Sequence, residues 1–203
     1  MKRILAFLCM IAMLLSLTAC VKNGAEKVVD QFCQSMQKFD LTAMGEASVS
    51  EEDLRETLEN ADEMTLTLYS YWEENAEKMT YEIEECKEVD DHTEVKVKFH
   101  FVDCSDLFLD AFEATAINLF NVKSEQEEQE TYSDVFPRIF NEKAASTDPV
   151  MIDREVTFSC VKDESGWKIE KIPDDALTVI TCNMQAAFDK LNQLKDTISG
   201  GAK

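Results

Sequence analysis

From Thr93 to Asp103 the chain alternates with period two. Val95, Val97, Phe99 and Phe101 fall on one side; Glu94, Lys96, Lys98 and His100 fall on the other. Successive side chains of a strand point to opposite faces, so this pattern predicts a strand with one dry and one wet face. Such a strand belongs to an antiparallel sheet covered on one side only. Something else in the chain has to supply the cover.

Three further segments can join that strand. Thr80 to Val89 precedes it across a turn at Asp90-Asp91-His92. Glu155 to Lys162 places Val156, Phe158 and Cys160 on one face. Trp167 to Ile172 follows the turn Asp163-Glu164-Ser165-Gly166 and stops at Pro173. The cover is helical. Val28, Val29, Phe32, Cys33 and Met36 form a stripe at three-to-four spacing in a helix over about 25–39, and Asp40 and Gly45 mark a break. Ser50 followed by Glu51, Glu52 and Asp53 reads as a helix start. The stripe Leu54, Leu58, Ala61, Leu68, Trp72, Ala76 and Met79 continues it as a helix, although Thr65 to Tyr71 alternates like a strand.

Between the strand pairs lies a helical insertion. Ser105 is read as the cap of a helix carrying Leu107, Phe108, Ala111, Phe112, Thr115, Leu119 and Phe120. A polar, acidic break covers 123–130. Asp134 is read as the cap of a shorter helix with Pro137 in its first turn. After Pro173, Asp174 or Asp175 is expected to cap one long helix over about 174–198, striped by Leu177, Ile180, Met184, Phe188, Leu191 and Leu194. The fold class is therefore α+β. A curved antiparallel sheet of about four strands packs against N-terminal helices, with a helical insertion and a long C-terminal helix. Only five Gly and three Pro leave little room for long linkers, so 25–203 reads as one domain.

Residues 1–19 are of a different kind. Lys2 and Arg3 precede an apolar run from Ile4 to Leu17, shorter than the roughly 20 residues a spanning helix needs. This is the pattern of a secretory signal. Leu17-Thr18-Ala19-Cys20 resembles the lipobox of bacterial lipoprotein precursors. The resemblance implies recognition of Leu17 and Ala19, cleavage before Cys20, and a diacylglyceryl group on the Cys20 thiol. Two acyl chains hold a protein stably to a bilayer where one does so only marginally. The lipid on Cys20 is then the sole covalent group, with no other cofactor. The membrane is a partner through that anchor, residues 20–24 are a short tether, and the domain faces the outside of the cell membrane.

Composition narrows the partners. The chain has 41 acidic and 20 basic residues, and loss of Lys2 and Arg3 with the signal takes the formal charge from −21 to −23. Such a surface repels phosphates, which argues against a nucleic-acid partner, and keeps the body off anionic headgroups except at its tether. Of seven cysteines, Cys33, Cys86, Cys104, Cys160 and Cys182 remain beyond Cys9 and Cys20. An exported protein can oxidise such thiols, but five is odd and no CxxC occurs. Cys33 and Cys160 sit among apolar residues, and the fold is not expected to depend on disulfides.

The Val28-Val29-x-x-Phe32 helix, the Val95 to Phe101 strand and the closing Gly166-Trp167-Lys168-Ile169 strand together resemble the nuclear transport factor two-like, or SnoaL-like, cone superfamily. The likeness covers roughly 25–180. It implies a bent sheet around helices with an apolar pocket between them. The chain departs from it in its long acidic insertion and its long terminal helix. Enzymes of that superfamily use an inward Asp or Tyr, which singles out Asp103, of the same parity as Val95 to Phe101. Tyr69, Trp72, Phe99, Phe101 and Trp167 are the other residues that could line such a pocket.

No GxSxG, P-loop, GxGxxG or EF-hand pattern is present, and neither His92 nor His100 has a ligand at zinc spacing, so no metal site is expected. The expectation is a membrane-anchored, non-enzymatic binding or interaction module for a protein or small hydrophobic ligand. One alternative is a SnoaL-like pocket enzyme or hydrophobe carrier. Another is an acidic, immunity-type lipoprotein gripping a basic protein.

Overall fold

The computed structural model describes residues 24–49, 61–121 and 130–200. Leu17, Ala19 and Cys20, the Ser50 start with Leu54 and Leu58, and 123–129 of the acidic break lie outside the described residues.

Helix α1 (Gly24–Gln37) buries the expected stripe of Val28, Val29, Phe32, Cys33 and Met36. It stops short of Phe39, which adopts a left-handed φ of 53°. Asp40 ends one helix by starting another. Its carboxylate accepts the Ala43 N–H at 3.0 Å and caps α2 (Leu41–Glu46), so Gly45 lies inside a helix rather than in a break. Asp62 likewise caps α3 (Glu63–Ala76), accepting the Thr65 N–H at 2.8 Å. The strand-like alternation at Thr65 to Tyr71 is thus helical.

Strands β1 (Thr80–Val89) and β2 (His92–Asp103) follow, joined by Asp90-Asp91 alone, since His92 already pairs with Val89. Asp90 takes a positive φ of 47°, which Asp tolerates better than most residues. A bulge between Ile83 and Glu85 interrupts the ladder.

The insertion comprises α4 (Ser105–Asn121) and α5 (Tyr132–Ser146). Two expected caps move. Asp103, not Ser105, caps α4, accepting the Ser105 N–H at 2.8 Å. Thr131 is the N-cap of α5, and Asp134 reaches back to take its N–H at 2.7 Å and its hydroxyl at 2.6 Å. Pro137 therefore sits in the second turn, inside the helix.

Strand β3 (Val150–Asp163) is longer than its alternation suggested, and β4 (Gly166–Ile169) is shorter. All neighbours are antiparallel in the order β1-β2-β3-β4. Val49 and Ala47 bond to Ile169 in a parallel bridge, so the β4 edge is partly covered.

The C-terminal helix is two helices, α6 (Asp174–Ile180) and α7 (Met184–Gly200). Pro173 occupies the N-cap position of α6, with Asp174 and Asp175 in its first turn. Two left-handed residues, Cys182 (φ 50°) and Asn183 (φ 59°), break the path. The continuous apolar stripe hid that break, because leucine-type periodicity survives a kink.

The core has two main parts. Beneath the sheet, α1, α2 and α6 meet Val95, Val97, Phe99, Phe101, Val156, Phe158 and Ile169, with Val95, Val97 and Phe99 wholly excluded from water. Each such side chain contributes on the order of 1.5–3 kcal/mol by burial. The second part packs α3, α4, α5 and α7 around Phe108, Phe136 and Phe140. Val102, Cys104 and Cys182 bridge the two.

Candidate functional site: a polar cleft between two helices

The face of α3 turned toward α5 carries Thr67, Ser70, Tyr71 and, one turn further, Asn75, with Lys78 beyond the helix end. Asn141 stands opposite, and Ala144 and Ala145 leave space. Together they border an open cleft of about 400 Å³. Its floor is hydrogen-bonded internally. Buried Asn75 donates to the Tyr71 carbonyl at 2.7 Å, and its amide oxygen accepts from the Lys78 ammonium at 2.8 Å. Burial pushes the Tyr71 phenol well above the ordinary tyrosine range, with nearby Cys104 adding to the effect, so the hydroxyl keeps its proton. The cleft offers hydroxyls, amides, the Glu63 and Glu74 carboxylates and one ammonium to a polar ligand. Neither His nor Cys lines it.

The six residues singled out from sequence are dispersed. Phe99 and Phe101 point inward as the alternation requires and are filled around by the sheet core. Asp103 spends its carboxylate on the Ser105 N–H at the start of α4. Trp167 packs at the start of α1, where a Cβ on Gly24 would collide with its indole ring. Tyr69 makes an edge-on contact with Phe39 and a tilted one with Trp72. The Trp72 indole N–H is buried without an acceptor among the described residues.

The cone-type pocket would lie between the sheet and the helices, and among the described residues side chains fill that space. The void beside Phe101, Met36 and Val179 measures about 10 Å³, room for one water at most. Of the six residues, Phe101 alone borders it, and none borders the cleft between α3 and α5. Sequence reasoning missed the cleft because its walls lie some seventy residues apart. Thr67, Ser70 and Glu74 read as an ordinary solvated helix face.

The wet face of the sheet is an ionic lattice. Lys96 lies 2.7 Å from Glu155 and 3.4 Å from Glu84; Asp153 accepts from His100 at 2.7 Å and pairs with Lys98 at 3.2 Å. The hydrogen bond to His100, then that to Lys98, holds the Asp153 carboxyl below its usual range. The bond to Glu155 raises the Lys96 ammonium. Exposed pairs of this kind contribute little each. His92 meets Asp91 at 3.3 Å, and no group of three or more metal-ligating side chains forms among the described residues. No disulfide forms among them either: Cys33, Cys104, Cys160 and Cys182 are buried and Cys86 is half-buried.

No protein-family model matches the chain, and no curated protein matches it significantly. Among solved structures it is similar to a candidate lipoprotein, ycdA, from Bacillus subtilis. The match has 16% identity and a TM-score of 0.40, covering 77% of this chain and 46% of that one. The chain thus corresponds to less than half the length of that protein.

Proposed function

We propose that this chain is an extracytoplasmic lipoprotein held to the membrane by lipid on Cys20, whose domain is a non-enzymatic interaction module. The observation that carries the reading is the sequence Leu17-Thr18-Ala19-Cys20, four residues before α1 begins at Gly24. Four Cα steps reach no further than about 14 Å, so the domain is held close to the bilayer. Among the described residues no helix is long and apolar enough to cross a membrane, and the lipid supplies the anchor in its place. Metabolic labelling with a clickable fatty acid tests this. The wild-type chain takes up label and Cys20→Ser takes up none; an unlabelled wild type would refute the anchor.

The filled space beneath the sheet supports interaction at the surface over capture of a hydrophobe inside. A ligand has room in the open polar cleft beside Tyr71 and Lys78. Titration with a fluorescent fatty-acid analogue is expected to show no saturable binding. Saturable binding abolished by Val97→Trp would instead place a hydrophobe under the sheet.

A further inference from the structure

Two thiols stand where the two halves of the core meet. Cys104 closes β2 and leads into α4. Cys182 sits in the kink between α6 and α7, at a φ of 50°. Their backbones touch: the Cys104 N–H donates to the Cys182 carbonyl at 2.8 Å. That bond holds the two residues side by side, as a disulfide, which spans Cα separations of roughly 4.4–6.8 Å, requires. The Cys104 sulfur points toward the kink, 3.8 Å from the Thr181 carbonyl. Both side chains enter one small apolar cluster with Val102, ringed by Tyr71, Trp72, Met151 and Met184.

We infer that Cys104 and Cys182 are a redox pair that closes into a disulfide when the chain folds in the presence of a disulfide oxidant. The geometry distinguishes this pair from Cys86 and Cys160 beneath the sheet. Cys86 pairs across from Val95 on one side of β2, and Cys160 pairs across from Thr93 on the other. Two strand spacings, roughly 9–10 Å, separate β1 from β3, beyond the reach of a disulfide.

The chemistry is thiol–disulfide exchange. The thiol of one cysteine loses its proton to solvent, and the resulting thiolate attacks the oxidant's disulfide, expelling one oxidant thiolate. The second cysteine, also deprotonated, attacks the mixed disulfide and expels the other. Two protons and two electrons leave the pair, and the oxidant is reduced to its two thiols. Burial pushes the Cys182 thiol up to about 12 and Cys104 higher still. Exchange is therefore slow once the site has closed, and the bond forms during folding rather than after it. It would fasten the kink to the end of β2 and link the sheet half to the helical half.

The test uses the chain purified from membranes, reduced, unfolded and refolded in detergent with oxidised glutathione. The product is alkylated in denaturant before and after reduction, and its peptides are mapped by mass. Cys104 and Cys182 are expected to take up label only after reduction and to appear as one linked peptide pair. Melting of the oxidised protein is expected about 10 °C above that of the reduced protein, since the bond closes a long loop. The double variant Cys104→Ser/Cys182→Ser is expected to lose that difference. Labelling of both residues without reduction, linkage of either to another cysteine, or persistence of the difference in the double variant would overturn the inference. Labelling of Cys20 would count against the lipid anchor alone, so the two readings fail separately.

Discussion

The sheet half and the helical half of this molecule bury their apolar side chains differently. Beneath the sheet, Phe32, Phe99 and Phe158 are wholly excluded from water, and charges stand on the opposite face. In the helical half an aromatic chain runs outward from Tyr71 through Phe140, Phe136 and Phe108 to Phe112, with successive ring centroids 5.2–6.4 Å apart. It ends in solvent: Phe112 is 36% exposed, Phe188 39% and nearby Ile117 53%. A strand sends alternate side chains to opposite faces, so β2 buries one row and leaves the other toward water. A helix turns its residues gradually, leaving a graded border between dry and wet. Truncation should therefore cost less at the outer end of that aromatic chain than beneath the sheet.

The largest expected effect tests that contrast. Phe99→Ala should cost about 3–5 kcal/mol in denaturant unfolding followed by tryptophan fluorescence. Phe112→Ala, whose ring already meets water, should cost less than about 1 kcal/mol. Equal losses would erase the distinction. Gly24→Ala comes next, at about 1–3 kcal/mol, because its new methyl would collide with the Trp167 ring; thermal melting checks it. A smaller loss in thermal melting is expected for Asp134→Ala in the helical half, where both bonds donated by Thr131 disappear.

The smallest effect is acid sensitivity. The carboxyls of Asp62, Asp134, Asp153 and Asp163 all lie below their unfolded value of 3.8, chiefly through hydrogen bonds to Thr65, Thr131, His100 and Ser165 respectively. A lowered native pKa stabilises the fold above the unfolded value, and that contribution is lost as pH falls below 3.8 through the native value. Asp153→Asn should flatten the acid limb of a melting-temperature profile slightly. An unchanged limb would show that the ion lattice on the sheet contributes nothing.

Much of the sheet half was legible because its signals are local. Val95 to Phe101 alternates strictly, and Asp163 with Gly166 marks a tight turn whose carboxylate takes the Ser165 and Gly166 N–H groups. The helical half was less legible at its boundaries. Ser105 and Asp134 have cap-type side chains, but Asp103 and Thr131 stand one geometry better placed, and only the folded backbone decides between neighbours. The kink at Cys182 and Asn183 interrupts no apolar repeat. The candidate pocket fared differently again. Parity correctly turned Phe99 and Phe101 inward, yet an inward aromatic fills a core as readily as it lines a cavity. The cleft joins α3 to α5, and neither helix carries a sign of the other.

The central claim, that this domain hangs outside a cell on a lipidated cysteine, is tested most directly by mass spectrometry of the amino-terminal peptide of the membrane-extracted protein. The account predicts a chain that begins at Cys20 and carries the added mass of a diacylglyceryl group on its sulfur. A peptide beginning at Met1, or one beginning at Cys20 with an unmodified thiol, would contradict it.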